Sequence, residues 1–209
     1  SGSLEVADPK RYAEVARDGW QAILNDPGFK TQEHAALGTP VVLGLGNAQG
    51  WLPTRNFRES VFEHADQISG EAFRDRFSTK ESPIPGGRAC MSCPNRCKRF
   101  GEITTGKYAG TKGAIEFEGI GAFGSKCGVG DLAAVFHAYV LSTDYGMDCI
   151  SCGNVIAFLM ELHEEGILSH EDLEGLDLHF GDADAMVEML KRIASRKGKL
   201  GEIGSLGVS

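Results

Sequence analysis

Asp131-Leu132-Ala133-Ala134-Val135-Phe136-His137-Ala138-Tyr139-Val140, and beyond Tyr145-Gly146-Met147-Asp148 the run Cys149-Ile150-Ser151-Cys152-Gly153-Asn154-Val155-Ile156-Ala157-Phe158-Leu159, set the fold class. In the first run Leu132, Val135, Phe136, Tyr139 and Val140 recur at three- and four-residue steps, one face of a helix that begins near Asp131 and ends at Gly146. The second predicts a helix from about Ser151 to Gly166 with Val155, Ile156, Leu159 and Leu162 inward. Two apolar helices in succession, with little between them for a sheet to use, put the chain among mainly α proteins.

The reading extends outward in both directions. Asp8-Pro9 is an N-cap followed by a proline suited to a first turn, and Tyr12, Ala16, Trp20, Ile23 and Leu24 then repeat with helical spacing until Pro27-Gly28. Ser169 with Asp172 three residues on is a capping-box pattern for a short helix. Asp182 caps another that buries Ala185, Met186, Met189, Leu190 and Ile193 before Gly198. Only Pro40 to Leu45 and Ala114 to Ile120 read as extended, and Ser82-Pro83-Ile84-Pro85-Gly86-Gly87 reads as a turn or connector. The expected fold is therefore a multihelical, mainly α domain over residues 1–209 with at most a short β-hairpin or isolated strands. No internal repeat is visible.

Composition narrows the functional classes. The 209 residues are 42% hydrophobic and 24% charged, near the globular average, which excludes collagen-like and wholly disordered chains. No apolar run reaches the ~18 residues of a membrane span. Lys+Arg 21 against Asp+Glu 29 gives a net charge of −8, the wrong sign for a binder of duplex nucleic acid. The charge is uneven: six bases (Arg88, Arg96, Lys98, Arg99, Lys107, Lys112) face one acid, Glu102, between residues 88 and 112, whereas ten acids and no Lys or Arg lie from Glu161 to Glu188. The acidic run reads as a solvated surface. The opening Ser1-Gly2-Ser3 has neither methionine nor a cationic leader, so the chain reads as a processed or excised piece, with a cytoplasmic setting expected.

Six cysteines without a secretory leader point to metal or redox chemistry more than to a disulfide frame. Cys90-Met91-Ser92-Cys93-Pro94-Asn95-Arg96-Cys97 spaces three thiols as C-x2-C-x3-C, which lets them meet one face of a 4Fe-4S cluster from a short loop and helical turn. Zinc would need a second half-site from Cys127, Cys149 or Cys152. The neighbouring Arg88, Arg96, Lys98 and Arg99 favour the cluster, since an anionic thiolate-ligated cube is stabilised by cations and amide donors. No fourth ligand is evident. Cys127, Cys149 and Cys152 read as small buried hydrophobes, His137 as a satisfied core histidine, and His163, His170 and His179 as surface groups. Gly44 to Gly50 departs from the dinucleotide fingerprint by one residue, and NAD is discounted.

Beyond the cysteines, the runs Gly38-Thr39-Pro40-Val41, Leu52-Pro53-Thr54-Arg55-Asn56-Phe57, Ile68-Ser69-Gly70-Glu71, Glu116-Phe117-Glu118, Gly121-Ala122-Phe123-Gly124-Ser125-Lys126-Cys127-Gly128 and Tyr145-Gly146-Met147-Asp148 occur in that order. Together with C-x2-C-x3-C they make the chain resemble the aldehyde:ferredoxin oxidoreductase family, the tungsten or molybdenum bis-pterin enzymes that include benzoyl-CoA reductase catalytic subunits. The resemblance implies the first helical domain of a longer enzyme, with a pterin-cradling β domain before it and a last helical domain after it that supplies the fourth cluster cysteine. It implies Cys90, Cys93 and Cys97 as cluster ligands. Asp148 and Gly146 match the end of a pterin-contact motif; Thr143 stands where that motif has Asp or Asn, with Asp144 as a replacement. Glu118, or failing that Glu116, matches a glutamate near the metal, fitted to move a proton as water adds to a carbonyl; a wet strand face is the competing reading of both.

Arg55 and Asn56 are candidates to anchor a cofactor phosphate or, equally, backbone carbonyls. The family's subunit-bridging E-x-x-H is absent. The implied activity is oxidation of aldehydes to carboxylic acids with ferredoxin or another electron-transfer subunit as acceptor, or ring reduction of the benzoyl-CoA type. The implied partners include the remaining domains and, in some members, a second copy. A zinc-stabilised helical module and a metal-free scaffold are the competing classes.

Overall fold

The computed structural model describes residues 5–28, 33–34, 36–78 and 87–208. Helices α1 (Pro9–Asn25), α2 (Val41–Ala48) and α3 (Gly70–Phe77) precede a small sheet of β1 (Gly87–Arg88), β2 (Lys98–Glu102) and β3 (Lys112–Ile115). Helices α4 (Phe117–Phe123), α5 (Leu132–Asp144), α6 (Cys149–Glu164), α7 (Ala183–Ser195) and α8 (Gly198–Gly204) follow. The mainly α expectation holds. The strands pair antiparallel in the order β1-β2-β3, one strand more than a hairpin. The proposed connector at 82–86 lies outside the described residues.

One contiguous core runs from Leu43 to Leu200. The central helices α5 and α6 form it with their expected faces: Leu132, Val135 and Phe136 from one, Val155, Ile156 and Leu159 from the other. The first begins where expected, with Asp131 accepting from Ala133 N; the second begins two residues earlier than expected, at Cys149, because Asp148 caps it by accepting from Ser151 N. Short helix α4 slides between them because its surface is small. A Cβ on Gly119 would stand 1.9 Å from the Tyr139 ring, and one on Gly153 of α6 would stand 2.6 Å from Ala122. Glycine inside a helix costs about 1 kcal/mol relative to alanine, which this close approach offsets by burying Ile120, Ala122 and Phe123 completely.

Four local expectations are corrected. Pro40 to Leu45 is not extended: Pro40 has helical dihedrals, and Val41, Val42 and Leu43 bond back to residues 38, 39 and 40, opening α2. A short apolar run fits a buried helix as well as a strand, and here the neighbouring core decides. Ala114 to Ile120 is extended only to Ile115, after which Glu116 stands at the N-cap of α4; Phe117 and Gly119 fall in that helix, with Gly119 against Tyr139. Ser169 and Asp172 do exchange capping-box bonds, yet no helix follows; Glu174 and Gly175 take left-handed backbone and turn the chain back. Helix α1 forms with its predicted cap but buries none of its apolar face, Tyr12 and Trp20 included.

Candidate functional site

The three clustered cysteines belong to the loop of the β1–β2 hairpin, in which Gly87 pairs with Arg99 and Arg88 with Lys98. The loop carries no helical turn, contrary to the sequence reading. A turn closed by Cys93 N donating to Cys90 O at 3.1 Å does the folding, with Ser92 and Arg96 in left-handed backbone. Cys90 and Cys93 are exposed and Cys97 is half-buried. Among the described residues no three His, Cys, Asp or Glu side chains converge on a single-ion site.

What holds the loop is residues 38–39. Thr39 N donates to Cys97 O at 2.8 Å, and Thr39 Oγ1 accepts from Phe117 N at 2.9 Å, so one residue joins the last cysteine to the start of α4. Gly38 has φ +72°, and a side chain there would meet Cys97 O at 2.6 Å and the stem of Arg99 at 2.7 Å. Only glycine fits both the backbone and the space. Of the bases around the loop, Lys98 pairs with Glu116 at 3.3 Å, Arg88 lies over the Phe100 ring, and Arg99 is only 2% exposed, its pKa lowered by burial and then by Arg74.

Glu116 and Glu118 flank the first turn of α4 on different footings. Glu116 is half-buried, its Oε2 3.3 Å from both Lys98 Nζ and the Tyr139 hydroxyl; Glu118 is exposed. Neither lies on a strand. The Tyr139 phenol is held above its ordinary range by burial first and then by Glu116. Burial also raises the Cys97 thiol, with Glu116 adding to it, and the Cys149 thiol, with Asp148, Glu118 and Glu116 adding. The cysteine loop, the two glutamates and the N-terminus of α6 thus share one electrostatic neighbourhood.

The remaining candidates are spread more widely. Asp148 is exposed at the N-cap of α6 and held below the usual carboxylate range by the Ser151 N–H, 2.7 Å away; it borders a cleft of about 310 Å3 with Met147, Ser151 and Arg196. Gly146 supplies the left-handed turn (φ +69°) that leads into it. Asp144 borders a different cleft, of about 340 Å3, beside His137 and Lys112, and Thr143 spends its hydroxyl on Tyr139 O. Arg55 and Asn56 head a run of three left-handed residues. The forked Arg55 contact is made to carboxylates, Glu59 and Glu63, and Asn56 bonds Glu161. Asn56 and Arg58, which pairs with Glu164, latch the 54–59 turn onto the acidic end of α6, whereas the Arg55 side chain bonds within residues 55–63.

Cys127 and Cys152 are core residues, as expected, their thiols raised by burial to about 12 and about 11. His137 is satisfied, as expected, bonded to Thr111 at 2.8 Å and stacked on Tyr108, but it is half-buried beside a cleft and not in the core. His163 is less exposed than a surface group, with Nδ1 3.0 Å from Leu168 O. Sequence reasoning missed Thr39 and Tyr139 as parts of the site; the Gly38-Thr39-Pro40 run was a signal for the first, and nothing local marks the second.

The sequence pattern described as "Aldehyde ferredoxin oxidoreductase, domains 2 & 3" matches residues 14–209. The chain is 33% identical over 200 residues to the tungsten-containing aldehyde ferredoxin oxidoreductase of Pyrococcus abyssi and 32% to that of Pyrococcus horikoshii, covering 93% of this chain and 31% of each relative. It therefore spans about a third of the length of the relatives it matches. Its fold is similar to a chain of the "Active site complex BamBC of Benzoyl Coenzyme A reductase in complex with 1,5 Dienoyl-CoA", with a TM-score of 0.67 at 21% identity over 99% of this chain and 31% of that one. The match along nearly all of its length makes this chain a member of the aldehyde ferredoxin oxidoreductase family.

Proposed function

We propose that this chain is the cluster-bearing helical part of a tungsten or molybdenum bis-pterin oxidoreductase that converts aldehydes to carboxylic acids and passes the electrons to ferredoxin or another electron-transfer subunit. The observation that carries the reading is Thr39: one residue bonds both the last cysteine of the loop and the first residue of α4, tying a thiolate donor set to a pair of carboxylates. Cys90, Cys93 and Cys97 would hold a 4Fe-4S cluster, its fourth ligand coming from further polypeptide. Their fit rests on donor chemistry: two exposed thiols and a half-buried one on a clamped loop, with Lys98 beside them. Asp148, exposed and ionised at a helix N-cap, would accept hydrogen bonds from the N–H edge of a pterin.

When bound, these groups supply the two-electron oxidation and the one-electron exits. This chain's residues handle the rest. Oxidising an aldehyde with water releases two protons with the two electrons. Glu118, exposed on the first turn of α4, takes a proton as water adds to the carbonyl. Glu116, already engaged by Lys98 and Tyr139, holds its place between that carboxylate and the cysteine loop. Burial of the Cys97 thiol and its proximity to Glu116 raise its pKa and so favour the thiol over the thiolate, and loading iron there would release a proton.

The test is anaerobic purification of the full-length protein, then iron and acid-labile sulfide analysis with EPR. The expected result is a brown protein with about four irons per chain, lost on Cys97→Ser. A colourless, iron-free protein after reconstitution with iron and sulfide, or stoichiometric zinc in its place, would overturn the reading.

A further inference from the structure

Glu116 lies where the cysteine hairpin meets the helical core, and three separate features fix it there. The β2–β3 ladder has Arg99 opposite Ile115 as its last pair, so Lys98 of β2 and Glu116, just past the end of β3, come next, and their side chains close the ladder as an ion pair at 3.3 Å. Thr39 spans from Cys97 O to Phe117 N, which ties the residue before Lys98 to the residue after Glu116. From the other side the Tyr139 hydroxyl donates to Glu116 Oε2, also at 3.3 Å.

Reaching it requires the Tyr139 ring to cross the first turn of α4, and Gly119 leaves the space: any Cβ there would stand 1.9 Å from Cδ2 and 2.5 Å from Cε2 of the ring. The partly buried phenol thus spends its hydroxyl on the carboxylate that also pairs with Lys98.

We infer that Tyr139 is a positioning residue whose phenol fixes the Glu116 carboxylate beside the cysteine loop, where that negative charge sets the reduction potential of the group the loop would hold. This rests on the assignment of a cluster to Cys90, Cys93 and Cys97. Adding an electron to an already anionic cluster is opposed by a nearby carboxylate, and the opposition grows as water is excluded between them. Lys98, bonded to the same oxygen, partly cancels it. Potential is thus set by a three-residue charge balance, with Tyr139 holding the negative member in place and sharing its charge through a hydrogen bond.

The experiment is a dye-mediated redox titration of the full-length holoprotein under argon, followed by EPR of the reduced cluster, on wild type, Glu116→Gln, Tyr139→Phe and the double variant, with iron per chain measured on each. Glu116→Gln raises the midpoint potential by removing the charge. Tyr139→Phe lowers it, because the carboxylate keeps its charge with one donor fewer, and that shift disappears in the Glu116→Gln background. Lys98→Met lowers it as well and serves if Tyr139→Phe does not fold. Iron-free wild-type protein would sink both the cluster assignment and the inference. Iron-loaded protein whose potential ignores Glu116→Gln, or a Tyr139→Phe shift of equal size with and without Glu116, would overturn the inference alone.

Discussion

Along α5 the residues Leu132, Ala134, Val135, Phe136 and Ala138 are buried, whereas in the loop of residues 89–97 Cys90 and Cys93 lie open and two non-glycine residues, Ser92 and Arg96, hold left-handed backbone. The helices bury apolar area in regular geometry. The hairpin spends its few hydrogen bonds on keeping thiols at the surface in a conformation that costs of order 1 kcal/mol per left-handed residue. Stability and chemistry therefore sit in adjoining but distinct parts of the chain, joined at Thr39 and Glu116. Substitutions on the two sides should report differently.

The largest effect belongs to the core. Phe136 is fully buried, edge-on to Phe73 with ring centroids 4.9 Å apart. Phe136→Ala is expected to cost about 3–5 kcal/mol in urea unfolding of the apoprotein. A loss below about 1 kcal/mol would mean that this helix does not carry the core. Next comes the junction. Gly119→Ala forces a methyl into the Tyr139 ring and should cost about 1–3 kcal/mol despite alanine's better helix propensity. Much of that loss should vanish in a Tyr139→Ala background, and additive losses would break the proposed contact. The hairpin comes last: replacing Cys90, Cys93 and Cys97 together by serine should move apoprotein stability by no more than about 1 kcal/mol while abolishing iron uptake. A large loss of apoprotein stability would erase the distinction between the two regions.

How much of this was legible follows the same division. The faces of α5, α6 and α7 could be read because a helix repeats its burial every three or four residues, and the starts of α5 and α7 because Asp131 and Asp182 mark them; the Asp148 cap of α6 was not recognised. The three thiols could be read because their spacing is local. Partners were not legible. Both α1 and α7 carry an apolar face at helical spacing, yet α7 buries Met186, Met189 and Leu190 while α1 buries none of its residues, since periodicity specifies a face and not what covers it. The Tyr139–Glu116 contact joins residues 23 apart through a glycine whose meaning appears only once two helices are placed. Asp144 and Asp148 are four residues apart in sequence but border separate clefts, because Gly146 turns the chain between them.

The smallest expected effect sharpens the comparison by pH. His137 is half-buried on α5, bonded to Thr111 and stacked on Tyr108, and its pKa is lowered from the ordinary 6.5 by burial first and then by Lys191, with Asp144 opposing. Above about pH 6.5 the ring is neutral in both folded and unfolded chains, and its packing contributes fully. As pH falls through that value the unfolded chain takes up a proton that the folded chain resists, so stability is lost until the lower folded pKa is passed. Urea midpoints measured from pH 7.5 down to 5 should therefore decline, and His137→Gln, which can keep the bond to Thr111 without titrating, should flatten the decline. Because this titration belongs to α5, the variant with all three hairpin cysteines replaced should retain it. If the decline were instead lost with the cysteines, proton uptake would be coupled to the hairpin, and the boundary drawn at Glu116 would have to move.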